Sequence, residues 1–383
     1  MLLMNPTVTH GALTSEYRVT VKTKKGTKDL WYRIPAAFGD MISNRADAAV
    51  VALAIPSMMT GGEMQVRGPL SEHLHYNMSR YVGEVIRRMN PQLARLRIDA
   101  ETLQPSNGTE GRGVATGFSG GVDSFSVLGG HLLCAQPPGM TLTHLIFNDV
   151  GSHDLGSGGT ELRDIRYNQL EPAAEAIGLP IIRVDSNLNE FYSGFDFQAS
   201  HTMRNGSVAL VLQSGIQHFL YGSTFSYSDI QIAKLKDIAY ADPILLPLLS
   251  TECMTAMSAD AHLSRVDKTL FVSQIELSHK YLDVCAAPGV GNCSACWKCR
   301  RTMLTLHFAG LLDRYDMVFD IPLFQSNLNS YIAEMALSKD TLLKEVRDFG
   351  LQQGFRIPET IFERAVAATS LRMRRFIERT IKQ

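Results

Sequence analysis

Val114-Ala115-Thr116-Gly117-Phe118-Ser119-Gly120-Gly121-Val122-Asp123-Ser124 is the stretch on which the reading of the chain turns. Val114 to Phe118 reads as a strand and Val122 to Leu133 as a helix, so the glycine pair falls on a strand-to-helix turn. Glycines there let the backbone turn tightly and bring successive N–H groups towards an anion. The helix N-terminus adds partial positive charge, and the Ser119 and Ser124 hydroxyls add donors. Asp123 repels a bare phosphate but suits one bridged by Mg²⁺. A glycine-rich turn with no ligand is the plainer alternative.

Working outward, strands and helices alternate downstream. Leu142 to Phe147 is an expected strand, Thr160 to Ile177 a helix, Pro180 to Val184 a strand, Ser207 to Gln217 a helix and His218 to Tyr221 a strand. This alternation predicts an α/β fold with a parallel sheet covered on both faces, whose ligands sit at the carboxyl ends of the strands. Upstream, residues 1 to about 15 read as a loose tail and 17–34 as a hairpin. Ala48 to Ile55, stopped by Pro56, is a strand or a short helix. Met64 to Arg67 is a strand, Ser71 with Glu72 opens an amphipathic helix to about Met89, and Leu93 to Ile98 is a further strand. Residues 105–113 read as a linker. Beyond about 300 the pattern is helical: Thr302–Leu312, Leu328–Ala336, Lys339–Phe349 and Pro358–Ile381. The expected domains are therefore an α+β accessory unit over 1–110, an α/β unit over 111–305 and a helical region over 306–383.

Cys285, Cys293, Cys296 and Cys299 form the pattern C-x7-C-x2-C-x2-C. Four thiolates so close suit a tetrahedral, structural Zn²⁺, with an iron–sulfur cluster and separate buried thiols as alternatives. Lys298, Arg300 and Arg301 would offset the negative charge of such a centre, while Cys134 and Cys253 stand alone and read as core residues.

At 383 residues, 45% hydrophobic and 20% charged, the composition is that of a globular protein, and the net charge of −1 speaks against nucleic acid as a partner. Neither a signal peptide nor a membrane-length apolar run is apparent, so a soluble, cytoplasmic protein is expected.

The stretch Ser119–Ser124 resembles the SGGxDS loop of the PP-loop ATP pyrophosphatases. That resemblance implies ATP and Mg²⁺ as cofactors, a grip on the β,γ-pyrophosphate by Ser119, Gly120, Gly121, Val122, Asp123 and Ser124, and transfer of AMP to a carboxylate or carbonyl oxygen. A downstream four-cysteine site makes the chain resemble more closely the 7-cyano-7-deazaguanine synthase family (QueC). Phe147-Asn148-Asp149-Val150-Gly151-Ser152-His153 resembles the family's FDYGQRH stretch, Met203-Arg204-Asn205 its ARN motif, and Tyr221-Gly222-Ser223 falls where it has IGVN. Lys268 lies where a lysine precedes the zinc segment.

The resemblance covers about residues 114–305. It implies that Asp123, Arg204 and Lys268 serve catalysis and that Gly151, His153 and Asn205 line the nucleotide or substrate site. It also implies a deazapurine carboxylate as substrate and ammonia or a partner protein's amine as acceptor. The family's DYSGYPDCR segment survives only as the fragment Ser226-Tyr227-Ser228-Asp229, and the front and tail regions have no counterpart in the compact synthases. In that respect the chain resembles the extended relatives found in bacterial anti-phage defence systems. The rival readings are a tRNA-modifying PP-loop enzyme and a nucleotide-binding subunit of a defence complex without turnover. The oligomeric state is open.

Overall fold

A computed structural model describes residues 1–105, 112–152, 159–287 and 291–357. The chain divides into two compact units, one of Met1–Ser119 with Asp123–His262, the other of Gly120–Val122 with Leu263–Gln383.

The first unit is α/β, built on an eleven-stranded, mostly parallel sheet. Its strands in chain order are β1 (Leu2–Leu3), β2 (Thr7–His10), β3 (Thr14–Thr23), β4 (Gly26–Pro35), β5 (Glu63–Ser71), β6 (Arg97–Gln104), β7 (Gly113–Gly117), β8 (His144–Asn148), β9 (Ile181–Ser186), β10 (Ile216–Gly222) and β11 (Thr255–Ala259). They lie in the order β11-β10-β7-β8-β9-β4-β3-β1-β5-β6, with β2 on β3. The pairs among β7 to β11 are all parallel. The front strands join the same sheet through an antiparallel pairing of β4 with β9, Tyr32 opposite Ser186 and Arg33 opposite Asp185. A boundary at residue 110 thus does not coincide with the observed division, because strands on both sides of it share one sheet.

The expected loose tail is in fact ordered in that sheet: β1 pairs with both β3 and β5. A two-residue strand is too short to carry a period, which is why its sequence gives no sign. The apolar run at 48–55 is a helix, Asp47–Met59, and Pro56 lies inside it rather than ending it. Proline deprives the carbonyl four residues earlier of its helical donor. Here that carbonyl, Ala52 O, accepts instead from the Tyr192 hydroxyl at 3.0 Å. Ser71 caps the next helix through Leu74 N–H at 2.9 Å, as its sequence predicts. β6 starts only at Arg97, later than expected, and β11 is an additional strand.

The second unit is helical: Arg265–Val272, Glu276–Tyr281, Trp297–Phe308, Ile321–Leu337 and Thr341–Gln352. The expected helix Pro358–Ile381 lies outside the described residues. Among those described, no helix is long and apolar enough to cross a membrane.

Candidate functional site

From β7 the chain runs to β8 and β9 on one side, whereas β10 and β11 lie on the other. The strand order therefore reverses between β7 and β10, and in parallel sheets ligands bind outside the carboxyl ends of strands at such a switch point. The residues leaving β7 at its carboxyl end are Phe118 to Ser124. Phe118 N–H still bonds to Ile146 O (2.8 Å), and its ring packs edge-on against Phe125 at 5.4 Å, so the turn is anchored on both flanks. Gly120 adopts a left-handed φ of +75°, a conformation that costs a side-chain-bearing residue, and the helix Val122–Leu132 begins two residues later. On the neighbouring strand, a Cβ added to Gly222 would stand 2.8 Å from Asp123 O. Glycine at the end of β10 is what lets the start of this helix approach so closely.

Around the same strand ends lies a polar network that sequence reading did not assemble. Asn205 Oδ1 accepts from Asn148 Nδ2 at the end of β8 (3.0 Å), while Asn205 Nδ2 donates to His201 O (2.8 Å) and to the Tyr221 hydroxyl at the end of β10 (3.2 Å). His201 joins Tyr221 through Nδ1 (2.9 Å) and Asp237 through Nε2 (3.2 Å). Thr202 donates to the fully buried Asp242 at 2.5 Å. Burial raises the Asp242 pKa to about 7; the opposing pulls of His201 and the Thr202 hydroxyl are outweighed, with the charges of Asp237 and Asp123 adding to the rise. Burial likewise lifts the Tyr221 phenol well above its usual value, aided by Asp242, Asp237 and Asp123. Tyr221 falls in the stretch matched to IGVN, whereas His201, Asp237 and Asp242 carry no motif; their only advance sign is their position near the ends of a helix and a strand.

The helix holding Arg204 and Asn205 spans His201–Val211, starting before the expected Ser207, so both lie inside it. Arg204 is 1% exposed. Its Nε donates to Ser200 Oγ (2.9 Å), its Nη1 to Val150 O (2.9 Å) and Asn189 Oδ1 (2.8 Å), and the guanidinium stacks 3.6 Å from the centre of the Tyr192 ring. A Cβ on Gly151, whose φ is +105°, would come within 2.5 Å of Arg204 Nη1. Gly151 and Arg204 are thus brought together, but as a packed pair that fixes the loop after β8. A guanidinium held in this way fixes the backbone of that loop. His153 lies outside the described residues. Asp185, at the end of β9, accepts from Arg183 Nε (3.1 Å) and sits 3.6 Å from Arg163, which also bonds to Asp149 at 3.0 Å.

In the second unit, Lys268 is completely buried in the first helix, whose start is closed by the reciprocal cap of Ser264 and Asp267.

The four cysteines form a candidate metal centre: their sulfurs all lie within 4.8 Å of one another. Cys296 is the N-cap of Trp297–Phe308, where the helix dipole favours thiolate, and Cys299 sits in the first turn, where burial pushes its thiol pKa up. Backbone N–H groups approach the sulfurs as well, Cys293 N to Cys285 Sγ at 3.4 Å and Cys296 N to Cys293 Sγ at 3.2 Å. Such a cluster can bind a metal ion such as zinc. Among the nearby cations, Arg300 pairs with Glu334, and Lys298 and Arg301 lie over the Trp297 ring. Cys134 is exposed and Cys253 only partly buried, so neither is the core residue expected.

No protein-family model matches the chain, and neither the curated proteins nor the solved structures give a match.

Proposed function

We propose that this chain is an ATP-dependent carbon–nitrogen ligase, cleaving ATP between the α- and β-phosphates and transferring AMP to a carboxylate. The observation that supports it most is the position of Ser119–Ser124: a glycine turn with left-handed Gly120, at the carboxyl end of β7, at the reversal of strand order. Backbone N–H groups of the turn and the Ser119 and Ser124 hydroxyls would hold the outer phosphates, with Asp123 placing Mg²⁺. Preorganised donors at that position stabilise charge as pyrophosphate leaves, without a covalent enzyme intermediate. Asn205, Tyr221 and Asn148 would contact the nucleotide or the acceptor, and Arg204 with Gly151 would hold the β8 loop in place. The four cysteines would bind Zn²⁺ with all four positions filled by protein, a structural role.

The substrate we favour is 7-carboxy-7-deazaguanine or a related deazapurine carboxylate, with ammonia or a partner protein's amine attacking the adenylate. An amine on carbon displaces AMP and loses one proton, giving an amide. The extra front strands and helical tail favour the defence-type relatives over the compact synthases.

Purified protein incubated with ATP, Mg²⁺, the deazaguanine carboxylate and an ammonium salt as amine donor should yield AMP and pyrophosphate in equal amounts. ADP as sole product rejects the reading. Asp123→Ala should lower turnover by about 10²-fold or more while the metal content at the cysteines stays unchanged.

A further inference from the structure

The second unit contains both Gly120–Val122 and the cysteine cluster, and a short chain of hydrogen bonds joins them. Asp283 N–H donates to Gly120 O at 2.8 Å. The Asp283 carboxylate accepts from Cys285 N–H at 3.0 Å. On either side of Asp283, the Asn292 side chain holds the backbone twice: it accepts from Val284 N–H (2.8 Å) and donates to Leu282 O (2.7 Å). Asn292 directly precedes Cys293, and Leu282 and Val284 are buried, at 2% and 8% exposure. Three consecutive residues are therefore locked by groups adjacent to two metal-ligand positions, and the N–H at their centre points at the glycine turn.

We propose that Asp283 is a positioning residue that ties the conformation of the glycine turn to the metal-loaded state of the cysteine cluster, with Asn292 as its clamp. The consequence for phosphate rests on the reading above; the hydrogen-bond chain stands without it. In a trans peptide the C=O and the following N–H point in opposite directions. Holding Gly120 O against Asp283 thus sets the direction of the Gly121 N–H, one of the donors assigned to pyrophosphate. Gly120 is free of Cβ constraints and in a left-handed conformation, so its peptide can rotate readily once that bond is lost. A bound metal ion ties the four sulfurs together, so emptying the cluster removes those bonds and loosens Cys285 and Cys293 and, through them, the residues that aim the Asp283 N–H.

The test is hydrogen exchange at single-residue resolution on the full chain, with zinc quantified, before and after chelation. Chelation is expected to speed exchange of the Asp283 amide about tenfold, as for loss of one bond and its support. In the zinc-loaded protein, Asp283→Ala should keep its zinc, speed exchange at the Cys285 amide and weaken binding of Mg²⁺ and inorganic pyrophosphate, measured by calorimetry. Asp283→Asn retains an oxygen acceptor and should restore both. If chelation speeds exchange across 285–299 but leaves the Asp283 amide protected, or if Asp283→Ala binds pyrophosphate as the parent does, the proposal is overturned. If the zinc-loaded parent itself ignores pyrophosphate, the phosphate-loop reading falls, and the exchange data alone decide the coupling.

Discussion

Asp47 and Asp242 are both completely buried in the first unit, yet only one of them is fully satisfied. Asp47 opens the helix Asp47–Met59 and accepts from Ser71 N–H (2.8 Å) and Gln213 Nε2 (2.8 Å), with Arg45 Nε 3.0 Å away. Its neighbours are held in turn: Gln213 Oε1 accepts from Thr251 (2.9 Å), and Glu252 accepts from Ser71 Oγ (2.6 Å). Burial still pushes the Asp47 pKa up, against the lowering influence of Arg45. Asp242, by contrast, receives the Thr202 hydroxyl on one oxygen, and its other oxygen has no hydrogen-bond partner among the described residues. The closed cluster fastens the front strands to the rest of the unit. The incompletely closed one sits with His201 and Tyr221 near the carboxyl end of β10, where a ligand is expected. Incomplete satisfaction of a buried group is costly, and it is tolerated most often where chemistry or binding uses it.

Breaking the closed cluster should have the largest effect. Asp47→Ala leaves Arg45, 5% exposed, without its nearest carboxylate, Glu252 standing farther off at 3.7 Å, and unfolding in denaturant should show a loss of about 3–5 kcal/mol. A loss below about 1 kcal/mol would mean that the cluster does not fasten the sheet. Next, Gly222→Ala forces its new methyl against the backbone of Asp123 and should cost about 1–3 kcal/mol. ATP binding, followed by calorimetry, should fall further than that stability loss explains. Equal affinity in a destabilised variant would separate the end of β10 from the nucleotide.

The smallest effect sharpens the contrast through pH. Because burial raises Asp242 to about 7 in the folded state, the folded chain keeps a proton that the unfolded chain releases near the ordinary carboxyl pKa. Its contribution is fully present below that ordinary value and is lost as pH rises through about 7. Asp242→Asn cannot titrate, so between pH 5 and 8 it should lose less stability than the parent, by about 1 kcal/mol or more. Parallel pH profiles of melting temperature for the two proteins would remove Asp242 from the account.

The chain's own residues announced some of this and concealed the rest. The change of rhythm at Val114, the glycine turn, the Ser71 cap and the four-cysteine spacing are all carried by residues close together in sequence. A turn's φ, a helix start or a thiolate cluster needs only a short stretch to be specified, and such a stretch is what a sequence displays. The antiparallel join of β4 to β9, the enclosure of Arg204 and Lys268, the early start of the helix at His201 and the rescue of Ala52 O by Tyr192 were decided by tertiary structure. Each depends on partners far away along the chain, and on the loss of water that their meeting brings. No local window of residues contains either.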